Sequence, residues 1–178
     1  PIDAHGSMWL HEARLLATFR DFDAAEELLH RAQSVVGHEP WWWVERSRLL
    51  EMQDRYAEAL ESTTEALRLQ PRYRPALESR AQLLMLLNRD DEALALLQDA
   101  NAHLQIASLA QMLAVYFGEL ERYTEVLPVL DLAEVWQPCA SREQQHWLAG
   151  RRADALRHLG RDPEAAAFAR AAGLPFQS

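Results

Sequence analysis

The stretch PWWWVERSRLLEMQDRYAEALESTTEALRLQP, from Pro40 to Pro71, decides how the rest of the chain is read. Its apolar residues recur at spacings of three and four, the period of a helix with one buried face, and nothing in it alternates as a half-buried strand does. Asp54 falls near the start of the second periodic run, and Asp21 and Asn88 sit likewise before periodic runs on either side, where a short polar side chain can accept the free N–H groups of a helix end. The stretch therefore reads as two helices joined by a turn. Three adjacent tryptophans complicate the first helix. A helix turns about 100° per residue, so Trp41, Trp42 and Trp43 cannot all enter one core.

Laid against its flanks, the stretch repeats. Trp9, Trp43 and Leu77 are 34 residues apart, and so are Ala13, Ser47 and Ala81, and Leu16, Leu50 and Leu84. The second half of each unit keeps step through Phe22, Tyr56 and Asp90, through Ala25, Ala59 and Ala93, and through Ala32, Ala66 and Ala100. A fourth copy follows after 33 residues, carrying Ala114, Phe117, Tyr123, Val126, Ala133 and Pro138. A fifth follows after 39, carrying Ala153, Leu156, Asp162, Ala165 and Ala172. The extra residues fall in CASREQQ, where Ser141 and Gln144 have the spacing of a capping box, so the fifth unit's first helix is expected to begin about a turn early. In GRDPEA, Asp162 reads as an N-cap and Pro163 as the first helical residue.

These columns resemble the tetratricopeptide repeat, a unit of 34 residues built as helix, turn and helix. The second unit carries the resemblance best, with Trp43, Ser47, Leu50, Tyr56, Ala59, Ala66 and Pro71 in place, and the likeness covers roughly residues 6–177. Asp90 and Asp162 depart from the family's aromatic, Val126 from its alanine, and Gln105 from its closing proline. The resemblance implies an all-α fold, an α-solenoid of five helix-turn-helix repeats forming a right-handed superhelix, in one domain over 1–178 with repeats at 6–39, 40–73, 74–106, 107–140 and 141–178. A helix pair of this length is marginal alone, so each repeat depends on its neighbours. Alanine at Ala25, Ala59 and Ala93 lets paired helices approach closely, and Trp43 fills the space between repeats as core. Trp42 shares a stripe with Leu49 and is expected to lean on the first repeat's second helix. Trp41 is left for another purpose.

Composition narrows the partners. Of 178 residues 49% are hydrophobic, enough for one domain with a core, and the net charge of −9 opposes a phosphate backbone or an anionic membrane surface. All 18 basic residues are arginine, as a GC-rich bacterial-type genome would give. The densest basic stretch, RLQPRYRPALESR, has Tyr73 as its sole aromatic and falls at a repeat junction, a poor nucleic-acid surface. No apolar run is long enough to span a bilayer. The single Cys139 allows no internal disulfide, and together these features suggest a soluble protein of a reducing, cytoplasmic compartment. Pro1 is not a translation start, which suggests trimming or excision from something longer.

In the tetratricopeptide fold the first helices of successive repeats line an inner groove that takes an extended peptide or a partner helix. Matching positions here are Leu10, Arg14 and Thr18 in the first repeat, and Trp41, Val44, Arg48, Glu51 and Met52 in the second. Glu78, Gln82 and Met85 follow in the third repeat, Gln111, Val115 and Glu119 in the fourth, and Trp147, Asp154, Arg157 and His158 in the fifth. A tryptophan beside arginine and methionine is the composition of a binding hot spot, so Trp41, Arg14 and Arg48 are expected to anchor an apolar and acidic stretch of a partner protein. The competing reading packs Trp41 on the first repeat or on the Arg48 stem. One version of this fold clamps a terminal carboxylate with lysine and asparagine. Leu10, Arg14, Glu45 and Ser79 stand at those positions and do not support it.

Chemistry has few footholds. Asp154 and His158 share a helix face one turn apart, with His146 nearby, but a metal site wants three or four ligands and no second helix supplies them. Cys139 lacks the surroundings that lower a thiol pKa. His5, His11, His30, His38 and His103 are scattered, and the acidic runs DFDAAEE and NRDDEA suit helix starts rather than calcium. No glycine loop cradles a phosphate, so neither a metal nor a cofactor is expected, and no catalytic residue is assigned. The sequence thus predicts a non-enzymatic protein-binding module. The alternative is an accessory or regulatory domain of a larger enzyme, and a third reading is weak self-association as a homodimer.

Overall fold

The helices follow one another in consecutive pairs: α1 (Ala4–Thr18) with α2 (Phe22–Val36), α3 (Pro40–Glu51) with α4 (Tyr56–Leu69), α5 (Arg74–Leu86) with α6 (Asp90–Leu104), α7 (Ala107–Glu119) with α8 (Tyr123–Trp136), and α9 (Arg142–His158) with α10 (Asp162–Ala171). This computed structural model describes residues 4–173, with side chains from Met8 onward. Pro1, the side chain of His5 and the last residues of the fifth repeat lie outside the described residues. Among those described there is no strand, so the architecture is all-α.

One device closes every pair. Arg20, Asp54, Asn88, Glu121 and Gly160 occupy the same register position, and all five adopt positive φ, from 55° at Asn88 to 71° at Gly160. The next residue's N–H reaches back to the carbonyl five residues earlier: Asp21 to Leu16, Arg55 to Leu50, Arg89 to Leu84, Arg122 to Phe117 and Arg161 to Leu156. This is the Schellman arrangement, which satisfies carbonyls that a helix end leaves bare. Asp54 and Asn88 therefore serve the turn and not the cap expected of them, because their short side chains tolerate the left-handed region. Only Asp21 acts as expected, accepting from the Ala24 N–H at 3.3 Å.

Elsewhere the second helix starts on an arginine-glutamate pair: Arg55 with Glu58, Arg89 with Glu92, Arg122 with Glu125 and Arg161 with Glu164. The arginine hydrogen bond holds the Glu58, Glu92 and Glu164 carboxyls below the usual range. At the last pair the cap is Arg161, and Asp162 is already the first helical residue, one position from its expected role. The capping box is as read: the Ser141 hydroxyl accepts from the Gln144 N–H, the Gln144 side chain accepts from the Ser141 N–H, and α9 starts early.

The chain forms two compact units, divided between Leu96 and Leu97 inside α6. In the first, α1 packs on α2, α2 on α3, α3 on α4 and α4 on α5. Ala25, Ala59 and Ala93 are wholly buried and permit this closeness. Trp42 leans on the second helix of the first repeat as expected, but the core position expected of Trp43 falls to it. Trp42, 1% exposed, is the one enclosed, in a cluster with Leu28, Leu29, Ala32 and Val36 of α2. Trp43 is half-buried, because its indole N–H turns to the Gly37 carbonyl at 2.8 Å where α2 ends. It touches the core of the first repeat and also the smaller cluster of Val44, Ala66 and Ala76.

In the second unit α7 packs on α8, α8 on α9 and α9 on α10. Ala153 and Leu156 of α9 meet Ala165 and Ala169 of α10. Arg152, its side chain 11% exposed, donates to Asp131 at 2.5 Å, lies 3.1 Å from Glu134 and sits 5.1 Å from the centre of the Phe168 ring. It thereby ties α8, α9 and α10 together.

Candidate functional site

Helices α1 and α3 lie side by side as the first helices of consecutive repeats, and their facing residues border a cleft of about 240 Å³. From α1 come Leu10, Ala13, Arg14, Ala17 and Thr18, which share one face by their spacing of three and four. From α3 come Glu45, Arg48, Leu49 and Met52, and Leu29 of α2 closes the floor. The space exists because Ala13 and Ala17 carry only methyl groups where longer residues would fill it. Leu10 is nearly covered at 5% exposure yet still forms part of the apolar floor, whereas Met52 is 45% exposed at the rim.

The polar wall is a triad. Arg48 donates to Glu45 at 2.8 Å, and Arg14 lies 3.6 Å from the other oxygen of the same carboxylate. Glu45 is 15% exposed while Arg14 and Arg48 are 64% and 50% exposed, so the carboxylate is held in and the two guanidinium groups face water. Two positive charges on one negative leave a net charge of about +1 beside an apolar floor. Leu10, Arg14, Thr18, Arg48 and Met52 were expected in this groove and border it, whereas Glu45 was not expected as the counterion of both arginines. The signal was there in the three-residue spacing from Glu45 to Arg48.

Other expected groove residues of this unit lie elsewhere. Trp41 is half-buried against the core of the first repeat and does not border the cleft. Val44 is 2% exposed and is spent in the cluster with Ala66 and Ala76, so it offers a partner nothing. Glu51 accepts from the Gln82 amide at 2.5 Å, and burial pushes its carboxyl up against the opposing pull of Arg48. Glu78 pairs with Arg74 at 3.9 Å on the same helix, and Met85 is half-buried.

The second unit has a cleft of about 350 Å³ at corresponding register positions, bordered by Ala114 and Gly118 of α7, Tyr123 and Val126 of α8, and Arg151, Asp154, Ala155 and His158 of α9. Its charges are exchanged: Arg151 stands where the first cleft has Glu45, and Asp154 where it has Arg48. Tyr123 and His158 stack with ring centres 4.1 Å apart, and Asp154 accepts from Arg157. Gln111 and Val115 are half-buried, and the Arg151 guanidinium lies over Trp147, 5.6 Å from the centre of the indole ring. Among the described residues no three His, Cys, Asp or Glu side chains converge as metal ligands, and no helix is long and apolar enough to cross a membrane.

No family model matches the chain and no curated protein matches it. Solved structures do. A crystal structure of MamA protein superposes with a TM-score of 0.71 at 14% identity, covering 94% of this chain and 90% of that one. A fragment of MamA from Desulfovibrio magneticus RS-1 gives 0.71 at 13% identity, covering 97% and 96%. TTC0263, a thermophilic tetratricopeptide repeat protein of Thermus thermophilus, gives 0.66 at 20% identity, covering 94% and 89%. At such identities the likeness is one of fold, and the fold is that of tetratricopeptide-type helical repeats.

Proposed function

We propose that the chain is a non-catalytic protein-interaction module that holds a segment of a partner protein in the cleft between α1 and α3. The observation that carries this reading is the meeting of Leu10, Arg14, Arg48 and Met52 around one concave space. Its apolar floor suits an aliphatic or aromatic side chain, and the net positive wall suits an acidic neighbour in the same segment. Arg14 and Arg48 already share Glu45, so a partner carboxylate competes with an internal one. Binding is accordingly moderate, with the apolar contact supplying much of the affinity. Trp41 contributes indirectly, by fixing α3 against the first repeat.

The test is selection of peptides from a random library on the immobilised protein, followed by fluorescence anisotropy with the enriched sequences. Enrichment of segments that combine apolar and acidic residues is expected. The pair of substitutions R14E/R48E weakens them by at least about tenfold, and circular dichroism checks that the fold survives the loss of both cations from Glu45. Equal affinity for both forms would remove the cleft from consideration.

A further inference from the structure

One stripe of each repeat's first helix faces the preceding helix pair. In α3 the stripe includes Trp42 and Leu49, which share a cluster with Leu28, Leu29, Ala32 and Val36 of α2. The same register positions in later repeats are Ala76 and Leu83, Leu109 and Tyr116, and Leu148 and Ala155, none more than 8% exposed. In the first repeat they are Met8 and Leu15, exposed by 57% and 53%, and Phe19 one turn further is 81% exposed. Met8 and Leu15 thus place aliphatic side chains in water at positions that are interior in the later repeats.

At two junctions a polar contact runs along the same stripe, whereas at this register Arg46 of α3 donates to Ser62 of α4 and α7 carries Leu113. Arg80 donates to Thr64 of the preceding helix at 2.8 Å, and Arg152 to Asp131 of the preceding helix at 2.5 Å. The two contacts occupy one register: Arg80 corresponds to Arg152, and Thr64 to Asp131. In the first repeat the arginine position holds Glu12, of opposite sign. In α10 the position of Thr64 and Asp131 holds Arg170, again of opposite sign to Asp131. Both are exposed, no ion pair involves either among the described residues, and the Arg170 Nε rests on the Ala166 carbonyl of its own helix. Ala166 and Gly173 flank Arg170 with little side chain, which leaves room for Met8 and Leu15.

We infer that a second copy of this chain docks its α10 on the Met8, Glu12 and Leu15 stripe of α1. The docking repeats between copies the contact that α2 makes with α3 and α8 with α9, and pairs Glu12 with Arg170 of the second copy. Two observations select this occupant over an unrelated helix: the stripe continues an interface the chain builds internally, and the charge reversal at Glu12 is matched by the one at Arg170. The contact is heterologous, so each copy keeps one donor and one acceptor surface and association proceeds beyond a dimer unless the ring closes. It uses none of the residues around the α1–α3 cleft and stands independently of the function proposed for that cleft.

Sedimentation velocity and light scattering of the 178-residue chain test it over about 1 μM to about 1 mM, the range of a weak contact. Average mass is expected to rise with concentration. E12R and R170E each weaken association roughly fivefold or more, as loss of an ion pair and its replacement by repulsion require. The double variant E12R/R170E, and an equimolar mixture of the two single variants, recover it. L15D abolishes association without altering the helical signal or the unfolding temperature, because Leu15 is exposed in the single chain. R14E/R48E associates like the wild type. A wild-type chain that stays monomeric throughout overturns the inference, as does a double reversal that associates no better than either single one.

Discussion

The rings of Trp42 and Trp43 meet edge to face, with centres 4.8 Å apart and planes at 89°, so that adjacent residues of one helix serve two different environments. Trp42 fills the space between α2 and α3, and its buried indole N–H has no partner among the described residues. Trp43 keeps its N–H satisfied by Gly37. Truncation of Trp42 to alanine is expected to cost about 3–5 kcal/mol, whereas W43F, which removes only the hydrogen bond and some area, costs about 1–2 kcal/mol. Urea unfolding of the two variants measures both. Equal losses would mean that burial does not rank these residues.

The turn column offers a stabilising change. Glu121 sits at φ 58° and Asn88 at 55°, while Gly160 takes the same conformation at 71° without strain. Glu121→Gly is expected to raise stability by about 0.5–1 kcal/mol, the relief of left-handed strain outweighing the added freedom of the unfolded chain. Gly160→Ala lowers it by about 1 kcal/mol. An alanine Cβ there would meet nothing within 4 Å, so the loss is conformational and not steric. Thermal unfolding of both variants decides whether the turn register is as described.

The repeat was legible because its determinants are local and periodic: alanines at fixed spacing, a large residue in the first helix, turns at a constant interval. What escaped sequence reading depends on which direction a side chain takes. Trp43 and Trp42 differ by one helix step, and only the carbonyl of Gly37 decides which indole turns to the edge. Val44 and Arg48 lie one turn apart on α3, yet one enters the cluster with Ala66 and Ala76 and the other stays in water. Glu45 was placed beside the groove by position but not seen as the ion that holds both arginines. The arginine-glutamate pairs opening α4, α6, α8 and α10 were present in the sequence as a column. In NRDDEA, a reading of the acidic run against the helix dipole alone concealed that Glu92 pairs with Arg89.

Arg152 is a structural tie and not a spare surface charge. Its stem is covered, its carboxylate partners Asp131 and Glu134 are more than half exposed, and it lies over Phe168. Exposure of the carboxylates limits the electrostatic part, so Arg152→Ala is expected to cost about 1–2 kcal/mol, with the lost packing of the stem contributing as much as the charge. Arg152→Lys restores the charge without the planar fork and recovers less than half of that. Calorimetry of the two variants against wild type separates packing from charge.

Glu51 gives a pH signature of known sign. Burial raises its carboxyl above the usual value, and the charge of Arg48 and the amide of Gln82 offset this only in part. A carboxyl whose folded value exceeds its unfolded one disfavours folding when ionised. The penalty is complete above the folded value and disappears below the unfolded one. Glu51→Gln, which still accepts a hydrogen bond from Gln82, is therefore expected to unfold at higher denaturant than wild type near neutral pH. The difference should shrink as pH falls through the carboxylate range and vanish below it. This trend runs opposite to that of the capping glutamates. Glu58, Glu92 and Glu164 are held low by their arginines, so the stability they lend is present above the unfolded value and is lost as pH falls through the folded one. Chemical denaturation of wild type and Glu51→Gln across pH 3 to 8 distinguishes the two contributions. An unchanging gap between the variants would show that the carboxyl of Glu51 titrates alike in both states.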